Sequence, residues 1–219
     1  MEERTGRFRV YRVVESVPHL NFFDTDATRL YTVYQSGYGD RQDRIDALRT
    51  GDLVEATLAG DPEDADEAWS IRSLERVGGV RMHFAVDADP PAVAADRWEA
   101  GLREPAAAPI EADGEAVGVA CVQPRDPLPG GTFVPSVLTG LVPMEETLAD
   151  LPTVGGAAGD ALFVDPDPPD ADHFSRPYGV ALFFRADAPG ADAALAEYLD
   201  RYGVDPDGDS RPDHDPYGI

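Results

Sequence analysis

The sequence predicts an α+β chain: a small β-barrel-like domain over residues 1–88, a helix and linker over 89–113, a mixed α+β domain over 114–203 and a disordered acidic tail over 204–219. Three observations carry this. Up to residue 90 the apolar residues mostly recur at every second position, the period of a strand. Helical stripes enter only after that point. The charge shifts there too: residues 1–90 hold 18 acids and 11 arginines and residues 91–219 hold 24 and 7, or about -7 and -17 by difference.

In the first part, Phe8, Val10 and Val14 alternate with Arg7, Arg9, Tyr11 and Val13, and Leu30 to Gln35 reads as a second strand. A short arginine-rich segment with helical character precedes Gly51-Asp52, which opens a third strand with Val54, Ala56 and Leu58 on one face. Asp61 to Asp66 is a loop. Trp69 to Val77 and Val80 to Val86 read as a hairpin joined by Gly78-Gly79, a pair suited to the positive φ angles of a tight turn. Five strands with one helical insert suggest a small barrel, with the oligonucleotide/oligosaccharide-binding (OB) type as the architectural analogy.

Asp89 is placed to cap a helix whose first turn holds Pro90 and Pro91 and whose stripe is Ala95, Trp98 and Leu102. Glu104 to Asp113 reads as a polar linker. Beyond it, Glu115 to Val122 and Tyr178 to Arg185 are apolar on both faces, as strands covered on both sides must be, and Ala161 to Val164 is a shorter strand. Met144, Leu148 and Leu151 form one helical stripe, and Ala191, Leu195, Tyr198 and Tyr202 another that Gly203 terminates. From Val204 onward no periodicity remains.

Composition speaks to habitat. All 18 cations are arginine, against 28 Asp and 14 Glu, giving a formal charge of -24. Such a surface repels itself at low ionic strength, whereas near 1 M salt the screening length falls to about 3 Å. The chain reads as built for molar salt, with 42% hydrophobic residues supplying a core. The start, Met1-Glu2-Glu3-Arg4, lacks the cationic and apolar pattern of a secretory leader, and no apolar run approaches the ~18 residues of a membrane helix. A cytoplasmic protein without a membrane partner is expected. The Gly-Arg-Phe-Arg-Val strand from Gly6, the Arg49 to Ala56 segment Arg-Thr-Gly-Asp-Leu-Val-Glu-Ala, and the Tyr-Gly-Val-Ala-Leu-Phe-Phe strand from Tyr178 resemble an uncharacterised protein family of halophilic archaea. That resemblance implies no activity and transfers no site residue.

Absent residue types exclude chemistry. Without lysine there is no Walker A phosphate grip, pyridoxal Schiff base or Ser-Lys dyad. One cysteine, Cys121, offers neither a disulfide nor a Cys-x-x-Cys site, and its apolar strand makes it packing. His19, His83, His173 and His214 share no ligand spacing, and His83 reads as a solvent-facing or rim residue. Asp205-Pro-Asp207-Gly-Asp209 begins like a calcium loop but has Ser210 and Pro216 where such a loop needs Gly and Glu. Gly155 to Asp160 is a weak anion cradle. No cofactor or metal is expected.

What remains is arginine. Arg7, Arg9 and Tyr11 share a strand face, and Arg41, Arg44 and Arg49 precede the third strand; together with Tyr31, Tyr34 or Tyr38 they could meet phosphates and stack on bases. The competing reading is that each arginine pairs with a neighbouring carboxylate. The expectation is a non-enzymatic binding or interaction module that contacts nucleic acid or another protein through Arg7, Arg9, Tyr11, Arg41 and Arg44. A small-molecule enzyme or ligand-binding protein with a site between its two parts is the alternative.

Overall fold

The computed structural model describes residues 1–12, 17–64, 67–99, 101–142, 145 and 158–213. It is an α+β protein, mostly strand, with two five-stranded sheets, neither closed into a barrel. Contacts divide it into one unit of Met1–Val80 with Leu138–Val142 and a second that runs from Arg81 to Val137 and resumes in the residues after 142. No helix among the described residues is long and apolar enough to cross a membrane.

The first unit holds β1 (Glu2–Tyr11), β2 (His19–Asp24), β3 (Arg29–Tyr34), β4 (Asp52–Gly60) and β5 (Ser70–Gly79), antiparallel in the order β3-β2-β1-β4-β5. Period two does the sorting. Phe8, Val10, Leu20, Phe22, Tyr31, Val33, Val54, Ala56 and Leu58 point to one side and bury a common core with Trp69 and Ile71. Helix α1 (Gln42–Asp46) lies between β3 and β4 and drops Ile45 into that core, with Leu48 just beyond it. The two outer strands approach only at a parallel bridge, where the Trp69 amide donates to Thr32 O at 2.8 Å and the Tyr34 amide to Trp69 O at 2.9 Å. No ladder closes the sheet.

At the β2–β3 turn the fully buried Asp24 accepts from the Asp26 and Ala27 amides at 3.0 and 2.9 Å and from Arg4 Nε at 2.9 Å. Burial pushes this carboxyl up, but those donors more than offset it and leave it below the usual carboxylate range.

In the second unit β6 (Arg81–Ala85), β7 (Ala106–Ala112), β8 (Glu115–Pro124), β9 (Ala158–Val164) and β10 (Tyr178–Arg185) form the order β6-β9-β10-β8-β7. Only the β6–β9 pair is parallel. One sheet face packs Val122, Leu162, Val180, Leu182 and Phe184 against Ala94 of α2 (Ala92–Arg97) and Ala191, Leu195 and Leu199 of α4 (Ala191–Tyr202). Gly203, at φ 64, ends α4 in the left-handed conformation that the sequence reading assigned it. Phe163 meets Phe84, Phe183 and Phe133, the residue before α3 (Val134–Leu138), at centroid distances of 5.4, 6.1 and 6.3 Å.

Several expectations are corrected. Gly78-Gly79 joins no hairpin: β5 pairs with β4 and β6 with β9, in different sheets, and neither glycine has a positive φ. The supposed linker contains β7, an edge strand that tolerates Pro109. Pro91, not Asp89, stands at the start of α2. β2, buried on both faces, was not anticipated. The tail is held as far as it is described, the Phe84 amide donating to Ser210 Oγ at 2.9 Å. The Met144, Leu148 and Leu151 stripe lies outside the described residues, as does His214.

Candidate functional site

Arg7, Arg9 and Tyr11 do share a side of β1, but that side is not an open surface. Arg7 is exposed and 4.0 Å from Glu55. Arg9 is buried and donates to Gly51 O at 2.7 Å, and Tyr11 is fully buried. The covering comes from later in the chain. Asn21 Nδ2 donates to Thr139 O at 2.9 Å, and Gly140, at φ 79, lies so near Tyr11 and Leu30 that a Cβ there would sit 2.8 and 2.9 Å from their side chains. Tyr11 cannot stack on a base from this position.

Arg41 and Arg44 lie elsewhere, beside β5. Ile45 and Leu48 anchor α1, and Arg12 Nη1 donates to the carbonyls of Asp46 and Leu48 at 3.1 and 3.2 Å, fixing the end of the helix. Arg44 thereby faces outward. It walls a groove of about 460 Å³ with Ala47 and Leu48 on one side and Leu74, Glu75 and Arg76 on the other. Among the described residues the Arg44 guanidinium has no hydrogen-bond or carboxylate partner, whereas Arg76 is 2.7 Å from Asp52.

The groove follows an open edge. β5 is terminal in its sheet, touching β3 only at the Trp69 bridge. At the start of that edge Arg41 Nη1 donates to the carbonyls of Ile71 and Arg72, while the Ile71 amide donates to Tyr38 Oη at 3.2 Å. From Ser73 to Val77 no described residue bonds to the outward backbone. Arg72, Leu74 and Arg76 were not singled out in the sequence. The i, i+2 spacing of Leu74 and Arg76 puts those two on one strand face and was the available signal, whereas Arg72 is the residue skipped where the ladder with β4 shifts register.

The other polar clusters are internal. Arg125, 5% exposed, donates from Nη2 to Asp165 at 2.5 Å and Asp167 at 2.8 Å, from Nε to Arg176 O and from Nη1 to Gly131 O, with Phe174 stacked 4.1 Å away. Three of these four hydrogen bonds go to the connection between β9 and β10 and the fourth to Gly131, before α3. Burial raises the Asp167 carboxyl, and the Ser175 amide and hydroxyl with Arg125 outweigh it and bring it below the ordinary value.

His83 is buried, not at a rim, with Nε2 3.4 Å from Asp160 and Nδ1 unpartnered among the described residues. Asp160 is raised by burial but lowered further by His83 and Arg81, whose Nε lies 2.7 Å from it. Burial pushes the Cys121 thiol up to about 11, which keeps it protonated and unreactive. Among the described residues no group of three or more His, Cys, Asp or Glu is placed to hold a metal ion.

No family model matches the chain, and no curated protein matches it significantly.

Proposed function

We propose that this chain is a non-enzymatic binding module that holds an anionic macromolecule in the groove between α1 and β5. The observation that carries the reading is Arg44: an exposed guanidinium without a described partner, over an apolar floor, in a protein of net charge -24. Arg49 and Arg97 also lack a described side-chain partner; what sets Arg44 apart is that it stands at a groove beside Ala47, Leu48 and Leu74. Arg41, Arg72 and Arg76 add positive charge along the same edge.

The first unit is OB-like in this reading. The strand order, α1 between β3 and β4, and the parallel contact between β3 and the start of β5 support that analogy. The composition and the resemblance to a halophile family support a cytoplasmic protein adapted to molar salt. There a purely ionic grip is weak, so the apolar floor of Ala47, Leu48 and Leu74 has to contribute to affinity.

The test is equilibrium binding of two fluorescent polyanions, a single-stranded oligonucleotide and an Asp/Glu-rich peptide, to the wild type and to Arg44→Gln/Arg76→Gln. Saturable binding of at least one probe, weakened in the variant, is expected. Failure of both probes to bind saturably removes the reading.

A further inference from the structure

Resting on that reading of the groove, we propose that its occupant is an extended acidic polypeptide segment that adds to β5 as a further strand. The first reason is the backbone. Alternate residues of an edge strand turn an amide and a carbonyl outward, and an incoming strand is the ligand that satisfies them in register. Here those groups between Ser73 and Val77 lie on the edge away from β4, with no described partner, in the stretch whose Leu74, Glu75 and Arg76 line the groove. Ladder irregularities against β4 fall on either side of this stretch, leaving Ser73–Arg76 regular.

Charge then selects the partner. An antiparallel pairing of β5 with a second copy of itself puts like charges opposite one another when it is centred on Leu74 (Arg72 against Arg76), Glu75 or Arg76, but not when it is centred on Ser73 or Val77. Self-association is therefore opposed in three of the five registers centred on Ser73 to Val77. An acidic strand meets Arg44 on one wall of the groove and Arg76, which also pairs with Asp52, on the other, with Glu75 as the one acid of the lining, and its alternate apolar residues can settle on Ala47, Leu48 and Leu74. Nucleic acid fits less well. Among the described residues of this unit the exposed aromatic, Tyr34, is at the end of β3 and does not line the groove, whose lining holds no ring for a base to stack on.

The experiment uses the full chain, a labelled peptide alternating Asp with Val, and an oligonucleotide of equal charge, titrated in ~0.2 M and ~1 M KCl to vary screening. The peptide is expected to bind saturably in both salts. Arg44→Gln should weaken it by about two- to fivefold in the lower salt, as expected for loss of one exposed charge contact. Ala47→Glu, at an exposed position where misfolding is not expected, should abolish it by filling the floor with like charge. Hydrogen exchange should slow at alternate amides between Ser73 and Val77 when peptide is added.

Oligonucleotide binding without peptide binding overturns the acidic-strand proposal but leaves the anion-binding reading standing. Peptide binding without protection at Ser73–Val77 overturns strand addition. Silence from both probes overturns the proposal together with the reading beneath it.

Discussion

Two arginine-bearing strands of the first unit have opposite fates. On β1 the alternation puts Arg7, Arg9 and Tyr11 on one side, yet Arg9 is spent on Gly51 O and Tyr11 is covered by the segment around Gly140. On β5 the same alternation puts Leu74 and Arg76 together, and no described residue bonds to the outward backbone beside them. Period two assigns a residue to a face. Whether that face becomes core or surface is decided by what packs on it, here residues more than a hundred positions away in sequence.

The contrast can be broken by mutation, and the largest effect is expected where an arginine is fully consumed. Arg125→Met should destabilise the second unit by about 3–5 kcal/mol, because Asp165 and Asp167 would be left buried without their cation. A denaturant titration giving a loss below ~1 kcal/mol would mean that the network is far less desolvated than its geometry indicates. Next comes Tyr11→Ala, for which removal of a fully buried ring should cost about 3 kcal/mol of stability. If Tyr11→Ala instead left stability intact, the covering by Gly140 would be wrong.

Acid offers a comparison of the two units without mutation. Asp24 in the first and Asp160 and Asp167 in the second all have carboxyls held below the ordinary value in the folded state. Their stabilisation is complete above the unfolded value of about 4 and is lost as pH falls through the lower folded values. Melting temperature at constant high salt should therefore stay level from neutrality to about pH 5 and drop below about pH 4. A decline starting near neutrality would point to groups other than these.

Much of this fold was legible wherever one segment's chemistry determined its own structure. β10 occupies Tyr178–Arg185, the span read from its apolar run, and α4 stops at the glycine assigned to stop it. What failed was pairing. Gly78-Gly79 looked like a turn, but a Cβ on Gly79 would stand 3.2 Å from the Asp52 backbone; that glycine serves a close approach of β4 to β5. β6 finds its partner in β9, nearly eighty residues on, and no local signal announces a parallel pairing of that span. Of the residues lining the groove, Arg44 was singled out in the sequence by its clustering with Arg41, while Arg76 and Leu74 needed the edge position of β5 to acquire meaning.

The smallest expected effect on stability is also the sharpest test of function. Arg44→Gln should change the unfolding free energy by less than ~0.5 kcal/mol, because its guanidinium contacts no described partner. The decisive measurement is therefore the affinity of the acidic peptide for wild type and Arg44→Gln, with the stability of each protein measured in the same buffer. Weaker binding at unchanged stability is the predicted result. Equal affinity in the two proteins, or a loss of binding that merely follows a loss of folding, would contradict the claim that Arg44 is held free to meet an anionic partner.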